Sequence, residues 1–347
     1  MMMFEHSEER RILQSTLRRF LAEPSSDLWK GLAELGVIGA LFSENHGGFG
    51  GHGSDLAVVF EEVGRADLTL PLIDNALVPG RLMIAAGGSI ENLIAGSERL
   101  AFAHAEVAAR YDLNWVETRA NGNILNGEKT VVVGCESAKA LIVSARHSGE
   151  PHDEDGIGLW MVEIDAPGLT LQSYDMIQGG RASEVSLNDT PGTLLFFEAY
   201  NAISEATAAG TLALAAEMLG AMETSLDMTR EYLSTRKQFG RVIGSFQALS
   251  HRLVDLMVEI EQARSAVILG STHLADPAHE RDRVLAATKN ILGRVGSLVA
   301  QDTIQMHGGI GMTQEYDLGR FAKRITMADH RFGDVDHHLE RFIVLSS

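Results

Sequence analysis

The sequence is poor in several features that mark particular classes of protein. It contains one cysteine, Cys135, which excludes an internal disulfide framework and a metal cluster built on cysteines. No uncharged apolar run reaches the roughly 18 residues that a membrane span needs. The acidic N-terminus also lacks the cationic start and apolar run of a signal peptide. These absences predict a cytoplasmic protein without a membrane span.

Positive charge is also scarce. The 29 lysines and arginines are outnumbered by 47 aspartates and glutamates, which gives a formal net charge of −18. Because nucleic-acid binding depends on clustered basic side chains, this balance argues against a nucleic-acid partner. Apolar residues make up 45% of the chain and charged residues 22%, which is typical of a globular protein with a large core. An enzyme or an enzyme subunit is the class that remains.

Hydrophobic periodicity changes twice along the 347 residues. Residues 4–95 and the chain beyond 202 have apolar positions every three to four residues, which predicts helices. Residues 99–197 instead have short apolar runs and an Asn-Gly turn, which predict six to eight strands. The predicted helices cover residues 8–21, 27–35, 56–63, 77–86, 202–236, 247–274, 279–305 and 319–328. The last four indicate an antiparallel bundle and are long enough to supply an oligomer interface.

A glycine-rich loop at residues 44–53 contains the pattern G-x-G-x-x-G from Gly48 to Gly53. In dinucleotide-binding proteins that pattern joins a strand to a helix within a βαβ unit. Here the flanking segments are helical and no parallel sheet follows. We therefore interpret the loop as structural rather than as a nicotinamide-cofactor site.

Two segments at the ends of long predicted helices could contact a ligand, and the first of them suits a pyrophosphate. Residues 236–247, RKQFGRVIGSFQ, combine an arginine with an aromatic side chain and a glutamine near a helix start. Residues 305–316, QMHGGIGMTQEY, carry consecutive glycines that let a ligand approach the backbone closely. Each segment alone has a simpler interpretation, a capping charge for the first and a helix C-terminus for the second.

Taken together, and with the ENHGGFGG loop at residues 44–51, these segments resemble the signatures of the acyl-CoA dehydrogenase family of flavoproteins. The resemblance covers almost the whole chain in the correct order. It implies an α+β, mostly α fold with a helical domain, a β-barrel-like domain and a four-helix bundle. On the periodicity of this sequence, these domains cover residues 1–97, 98–200 and 201–347.

The resemblance also implies a cofactor and partners. In the family, FAD removes a β-hydride from an acyl-CoA thioester while a carboxylate takes the α-proton, and an electron-transfer flavoprotein is the usual acceptor. One set of positions binds the adenine dinucleotide part of FAD, largely for the flavin of a neighbouring subunit. In this sequence the set is Arg236, Gln238, Phe239, Gln247, Gln305, Gly308 and Gly309.

The motifs that face the flavin ring in the family are altered here. The usual Thr-Glu-Pro-x-x-Gly-Ser-Asp is replaced at residues 105–112 by AEVAARYD, so that Arg110 and Tyr111 stand for Gly and Ser. The usual Trp-Ile-Thr-Asn is replaced by VVVG at residues 131–134. We interpret residues 131–133 as an ordinary core strand.

The catalytic base is missing from both of its family positions, which are occupied by Gly210 and Gly333. Asp334 is one residue from the usual place and is a weak candidate for a displaced base, because near-attack geometry tolerates about an ångström of error. We predict solvated or capping roles for the neighbouring Asp336, His337 and His338, and we expect no metal site. His307, His330 and Cys135 are interpreted as structural.

The residues that bind the dinucleotide in the family are present here, whereas those that hold the flavin ring are replaced. This difference predicts the non-catalytic, beta-type partner of a catalytic acyl-CoA dehydrogenase subunit, in a complex resembling those that oxidise steroid side-chain CoA thioesters in bacteria. Such a chain would be inactive alone and would share FAD at the subunit interface. Two alternatives remain open: a homo-oligomeric dehydrogenase that uses Asp334, and a flavin-free binding or scaffold subunit.

Overall fold

The computed structural model describes residues 7–347, which group into two compact units. Residues 7–24, 52–68 and 211–347 form a helical unit, and residues 25–51 and 69–210 form a unit that contains the main sheet. No helix within residues 7–347 is long and apolar enough to cross a membrane.

Helices make up most of the regular structure of the described residues. In chain order they are α1 (Glu8–Ala22), α2 (Leu28–Glu34), α3 (Gly53–Arg65), α4 (Val78–Ala85), α5 (Glu91–Ile94), α6 (Tyr200–Thr235), α7 (Gln247–His273), α8 (Ala278–His307), α9 (Leu318–Asp329) and α10 (Val335–Leu345). A π-helical turn at Ile73–Leu77 leads directly into α4. The four long C-terminal helices lie within a few residues of their predicted positions, because their apolar positions recur at helical spacing. Helix α10 was not predicted.

The strands fall into one large sheet and one small hairpin. They are β1 (Leu100–Ala103), β2 (Arg119–Asn121), β3 (Ile124–Val133), β4 (Ala140–Arg146), β5 (Ile157–Glu163), β6 (Leu169–Asp175), β7 (Arg181–Pro191), β8 (Thr193–Phe196), β9 (Lys237–Gln238) and β10 (Arg241–Val242). The large sheet runs in the order β6-β7-β3-β2-β4-β5-β8, with β1 paired to β4 in parallel. This path has two open ends, so the β-barrel-like expectation is not met by a closed barrel in residues 7–347.

One core cluster of the sheet unit lies on a single face of the strands. Trp160 is fully buried among aliphatic side chains of β3, β4, β5 and β7, and its indole Nε1 donates to the carbonyl oxygen of Gly122 at 3.1 Å. Leu125 and Lys129 of β3 are buried, and the register of β3 on β7 shifts twice, between Leu125 and Gly127 and between Lys129 and Val132. The second shift is a bulge that breaks the alternation of side chains along the strand.

The helical unit is held partly by a buried carboxylate. Glu62 of α3 accepts hydrogen bonds from Arg18 Nε at 2.7 Å, Arg18 Nη2 at 2.6 Å and Gln14 Nε2 at 2.9 Å. A carboxylate can be buried in this way only when its oxygens are paired. Helix α1 therefore docks on α3 through side chains 44 to 48 residues distant in sequence.

Candidate functional site

A two-stranded hairpin joins α6 to α7 and carries an exposed aromatic side chain at its tip. Strand β9 pairs with β10, and the turn between them is Phe239-Gly240 with φ of +53° and +76°. Two consecutive positive φ values make a type I′ turn, which glycine tolerates and phenylalanine does not favour. Phe239 is 89% exposed. The hairpin thus holds a large apolar ring in water on a strained backbone.

Three positively charged residues lie close to Phe239 in sequence. Arg236, Lys237 and Arg241 are all exposed, and none makes an ion pair within residues 7–347. The guanidinium of Arg241 lies 3.9 Å from the ring centroid of Phe246, and the rings of Phe239 and Phe246 meet edge to face at 6.1 Å. The hairpin is a local basic and aromatic surface on an acidic chain, a combination that suits an anionic ligand with a planar ring.

The C-terminal end of α8 presents an open glycine turn. Gly308 has φ +66° and ψ −144°, a conformation essentially confined to glycine. A Cβ built on Gly308 or on Gly309 would meet no atom within 4 Å. Gln305 is exposed one turn earlier. Both glycines therefore leave open space beside the backbone.

Contacts of the His307 ring stabilise the glycine turn. Its Nδ1 donates to the carbonyl oxygen of Thr303 at 2.8 Å, which leaves Nε2 to accept from the Tyr316 hydroxyl at 3.2 Å. Its ring stacks on Tyr232 of α6 with centroids 4.4 Å apart. Burial lowers the pKa of His307, so the neutral ring is favoured. The prediction of a structural histidine agrees with these contacts.

The structure brings the two sequence segments to the same end of the helical unit. The Tyr232–His307 stack joins the turn before Arg236 to the end of α8. Arg252 Nε of α7 lies 3.3 Å from Asp302 Oδ2 of α8, which places Gln247 and Gln305 at neighbouring helix ends. These contacts bring the two segments close to each other. The predicted dinucleotide set that they carry, called here the half-site, is made of Arg236, Gln238, Phe239, Gln247, Gln305, Gly308 and Gly309.

The turn before α10 is built around glycine. Gly333 has φ +104°, and a Cβ on it would lie 2.5 Å from His337 Cδ2 and 2.7 Å from His338 Nε2. The buried Lys289 Nζ donates to the Gly333 carbonyl oxygen at 2.9 Å. Asp334 Oδ1 accepts from the backbone N–H of His337 at 2.9 Å, so this carboxylate caps α10.

The remaining candidates have structural surroundings. Gly210 is buried within α6. His338 donates through Nε2 to the carbonyl oxygen of Phe332 at 2.9 Å, and burial lowers its pKa to about 3. No group of side chains within residues 7–347 has the arrangement of a metal site.

In the segments that face the flavin ring in the family, two residues other than glycine have the positive φ that glycine favours. Arg110 has φ +49° and Val131 has φ +52°. Val131 is 53% exposed and stands at the bulge of β3. The interpretation of residues 131–133 as an ordinary core strand is therefore wrong for Val131, because the bulge turns its side chain out of the core. Only Val132 of the three is fully in the core.

Sequence reasoning missed a buried polar network beside this strand. Lys129 Nζ donates to Glu106 Oε1 at 2.6 Å and to Ser144 Oγ at 3.0 Å, and Glu106 also accepts from Thr118 Oγ1 at 2.7 Å. Burial lowers the pKa of Lys129 to about 8. Burial raises the pKa of Glu106, but the Lys129 charge and hydrogen bonds outweigh it and leave that pKa below its usual value. Strand alternation from Leu125 could have placed Lys129 inward.

Comparisons with known proteins agree with the motifs. Residues 200–340 match the family model described as "Acyl-CoA dehydrogenase, C-terminal domain", and residues 7–92 match "Acyl-CoA dehydrogenase, N-terminal domain". The acyl-CoA dehydrogenase IpdE2 of Mycobacterium tuberculosis is 31% identical over 335 residues, which cover 91% of each chain.

Solved structures extend the likeness to the whole fold. A variant of the Tcur3481-Tcur3483 steroid ACAD has a TM-score of 0.86 at 28% identity, with 98% of each chain covered. The ChsE4-ChsE5 complex of Mycobacterium tuberculosis has a TM-score of 0.83 at 22% identity and covers 99% of this chain and 98% of that one, which shows a shared fold.

Proposed function

The chain belongs to the acyl-CoA dehydrogenase family, and from this premise we propose that it is a subunit that lends the half-site to the FAD of a homologous catalytic subunit. Its complex would carry out α,β-dehydrogenation of an acyl-CoA thioester. The observation that carries the proposal is the tip of the β9–β10 hairpin. A phenylalanine that is 89% exposed on a strained turn, within three residues of Arg236, Lys237 and Arg241, suits a contact that is completed by another molecule.

The donor set of the half-site fits the adenine dinucleotide part of FAD. Arg236 supplies a fixed charge for a pyrophosphate, Gln238 and Gln247 supply amide groups for ribose or adenine, and Phe239 supplies a ring for stacking. Gly308 and Gly309 allow the backbone close to the ligand because nothing occupies their Cβ space. FAD supplies the hydride acceptor of the reaction. This chain's own residues only bind and orient the dinucleotide.

The residues at the ring motif do not fit a flavin held by this chain. The side chains that would bond to the ring are replaced by Val131 and Val133, and Arg110 stands where the family has glycine. The polar side chains that the family uses at the ring are therefore absent from these positions. This difference supports a chain that helps another subunit's cofactor and does not hold its own ring.

The lack of a residue that could abstract the α-proton also supports a catalytic partner subunit. Neither Gly210 nor Gly333 has a side chain that can accept a proton. Asp334 already accepts a backbone hydrogen bond as the N-cap of α10, which fixes its direction and argues against the homo-oligomeric alternative. A general base must reach the substrate proton. The partner would therefore supply the glutamate.

Two solved structures that share the fold support a heteromeric assembly. One is the Tcur3481-Tcur3483 steroid ACAD and the other is the ChsE4-ChsE5 complex, and each name joins two proteins. By analogy, the substrate class proposed here is a steroid or lipid acyl-CoA, and the acceptor an electron-transfer flavoprotein.

The test is co-expression with the homologous catalytic subunit, followed by absorbance of bound flavin against protein mass. The chain alone should carry little or no FAD and show no turnover, whereas the complex should hold one FAD for each pair of unlike subunits. Changing the partner's glutamate base to glutamine should abolish turnover and leave assembly and FAD intact. A yellow, active homo-oligomer would contradict the proposal. Two flavins for each unlike pair would contradict the loss of the ring site.

A further inference from the structure

The base of the β9–β10 hairpin is fixed to the end of α6. The backbone N–H of Ile243 donates to the carbonyl oxygen of Arg236 at 2.9 Å. Gly244 lies so close to α6 that a Cβ on it would be 2.8 Å from the carbonyl oxygen of Leu233. These two contacts hold the hairpin at the point where the chain returns to the helices.

The tip of the hairpin is short and open to solvent. Strands β9 and β10 contribute two residue pairs, Gln238 with Arg241 and Lys237 with Val242. A two-stranded hairpin of this length is marginal in water. A Cβ on Gly240 would meet no atom within 4 Å. The position of the tip therefore depends on the contacts of its side chains.

One ring at the start of α7 receives two side chains of the hairpin. The guanidinium of Arg241 lies 3.9 Å from the ring centroid of Phe246, and the ring of Phe239 meets the same ring edge to face at 6.1 Å. The carbonyl oxygen of Phe246 accepts from the backbone N–H groups of Leu249 and Ser250 at 3.0 and 3.1 Å, which fixes its backbone on the first turn of α7. Phe239, Arg241 and Phe246 are called here the tip cluster.

Strand pairing separates two basic residues of the hairpin. Cross-strand partners share a face and adjacent residues alternate between faces. Gln238 and Arg241 therefore lie on one face of the hairpin, and Lys237 and Val242 on the other. The contact of Arg241 with Phe246 places the ring at the first face. Lys237 thus carries the same charge as Arg241 on the opposite face.

We propose that Arg241 and Phe246 are positioning residues, which fix the Phe239 ring against the start of α7 before the dinucleotide binds. Gln247 follows Phe246 directly, so one anchored ring links two members of the half-site. A ring that is 89% exposed would otherwise lose its side-chain freedom on binding, and that loss lowers affinity. The inference rests on the proposed function and adds how the ring is oriented for it.

The two contacts of Phe246 are of the right size for this role. A cation over an exposed aromatic ring shifts an equilibrium by about two- to fivefold, and an edge-to-face aromatic pair by about two- to tenfold. Together they favour one orientation of a surface ring. They are nevertheless small compared with the stability of a whole domain. Loss of either contact should therefore disorder the tip and leave the chain folded.

The orientation of the ring can be tested on the free, full-length chain without FAD. The chain is labelled with para-fluorophenylalanine, and the fluorine resonance of Phe239 is assigned by its loss in Phe239→Leu. Phe246→Leu should move this resonance towards that of the free amino acid, because the ring current of Phe246 is removed. Arg241→Gln should move it in the same direction, and Lys237→Gln should leave it in place. A resonance that does not move in Phe246→Leu overturns the inference.

The FAD dissociation constant of the complex tests whether this order serves binding. Measured by flavin fluorescence on complex stripped of its cofactor, it should rise about tenfold in Phe246→Leu, and about threefold more in Arg241→Gln than in Lys237→Gln. Phe246→Tyr keeps the ring and should keep the affinity. In the Phe246→Leu background, Arg241→Gln should add no more than Lys237→Gln adds, because the ring through which Arg241 acts is gone.

The outcomes separate this inference from the proposed function. The inference alone is overturned if the wild-type complex binds FAD and Arg241→Gln and Lys237→Gln weaken that binding equally. Wild-type affinity in Phe246→Leu has the same meaning. A wild-type complex that takes up no FAD overturns the proposed function, and the positioning role falls with it.

Discussion

The ammonium of Lys289 donates to the carbonyl oxygen of Gly333 at 2.9 Å, so a fully buried charge holds the turn that replaces the family's usual base. Lys289 donates equally to the carbonyl oxygen of Asp329, and burial lowers the pKa of Lys289 to about 8. The turn is thus held at both of its ends by one side chain.

Restoring the base at this turn should fail. Gly333→Glu and Gly333→Ala should each lower the free energy of unfolding by roughly 2–4 kcal/mol, because both combine a positive φ with an overpacked Cβ. The matched control is Gly240→Ala, whose φ is +76° and whose Cβ would meet nothing within 4 Å. It should cost only the backbone strain, about 1 kcal/mol. Denaturant unfolding that finds Gly333→Ala no worse than Gly240→Ala would contradict the steric argument.

Arg236→Ala should lower the FAD content of the complex at limiting cofactor. A charge-assisted hydrogen bond to phosphate contributes about 1.5–3 kcal/mol, which is roughly ten- to a hundredfold in affinity. The control is Arg230→Ala, an exposed arginine of α6 with an i−3 ion pair to Asp227. Flavin absorbance of the two variants gives the comparison. Equal flavin contents would show that Arg236 only caps a helix.

Phe239→Asn should move stability and cofactor binding in opposite directions. Asparagine accepts the positive φ of this position and makes the Asn-Gly sequence that type I′ turns favour, so the free chain should unfold at equal or higher denaturant concentration. The ring available for stacking is lost, so the FAD content of the complex should fall. A parallel fall of both quantities would indicate that Phe239 supports the fold of the hairpin.

Val131→Asn should stabilise the chain by about 1 kcal/mol, since a β-branched residue at φ +52° carries roughly 1–3 kcal/mol of strain that asparagine partly relieves. Val133→Asn is the control, because Val133 belongs to the regular part of the same strand, where asparagine is disfavoured. Midpoints of urea unfolding should therefore shift upward for the first variant and downward for the second. A downward shift for both would mean that Val131 makes an apolar contact of its own.

Acid should destabilise the helical unit through His338. Burial lowers the pKa of this side chain, which is 5% exposed, to about 3 from an unfolded value near 6.5. Between those values the unfolded state binds the proton and the folded state does not, so stability is lost as pH falls from about 6.5 towards 3. His338→Gln keeps a donor for the Phe332 carbonyl and should flatten this slope. His279→Gln, at an exposed position, is the control for the substitution itself.

Local pattern was enough to predict the long helices. The prediction of a helix over 247–274 differs from α7 by one residue, because apolar spacing and the break at the hairpin are both local signals. The half-site was found from motif spacing, and the Tyr232–His307 stack explains why its two segments meet. Whether these residues bind FAD remains a prediction.

Other features depend on contacts that sequence pattern does not report. The Val131 bulge arises where β3 shifts its register on β7, and nothing in a run of three valines indicates which one turns outward. The partners of Glu106 are 11 to 23 residues away and converge only in the folded sheet. Helix α10 was missed because its acidic and histidine-rich start looked solvated, whereas Asp334 caps a helix there.

The division of the chain into units has a consequence for how the protein is made. Every segment of the sheet unit has been synthesised once residue 210 leaves the ribosome, but α1 and α3 belong with residues 211–347. At about 5–20 residues per second, these first helices wait on the order of ten seconds for the helices that bury them. During that time the apolar side of α3 lacks the helices formed by residues 211–347. Glu62 already has Arg18 of α1 as an ion partner. Truncations that stop before α8 should therefore be chaperone-bound, even though the sheet unit can already be complete.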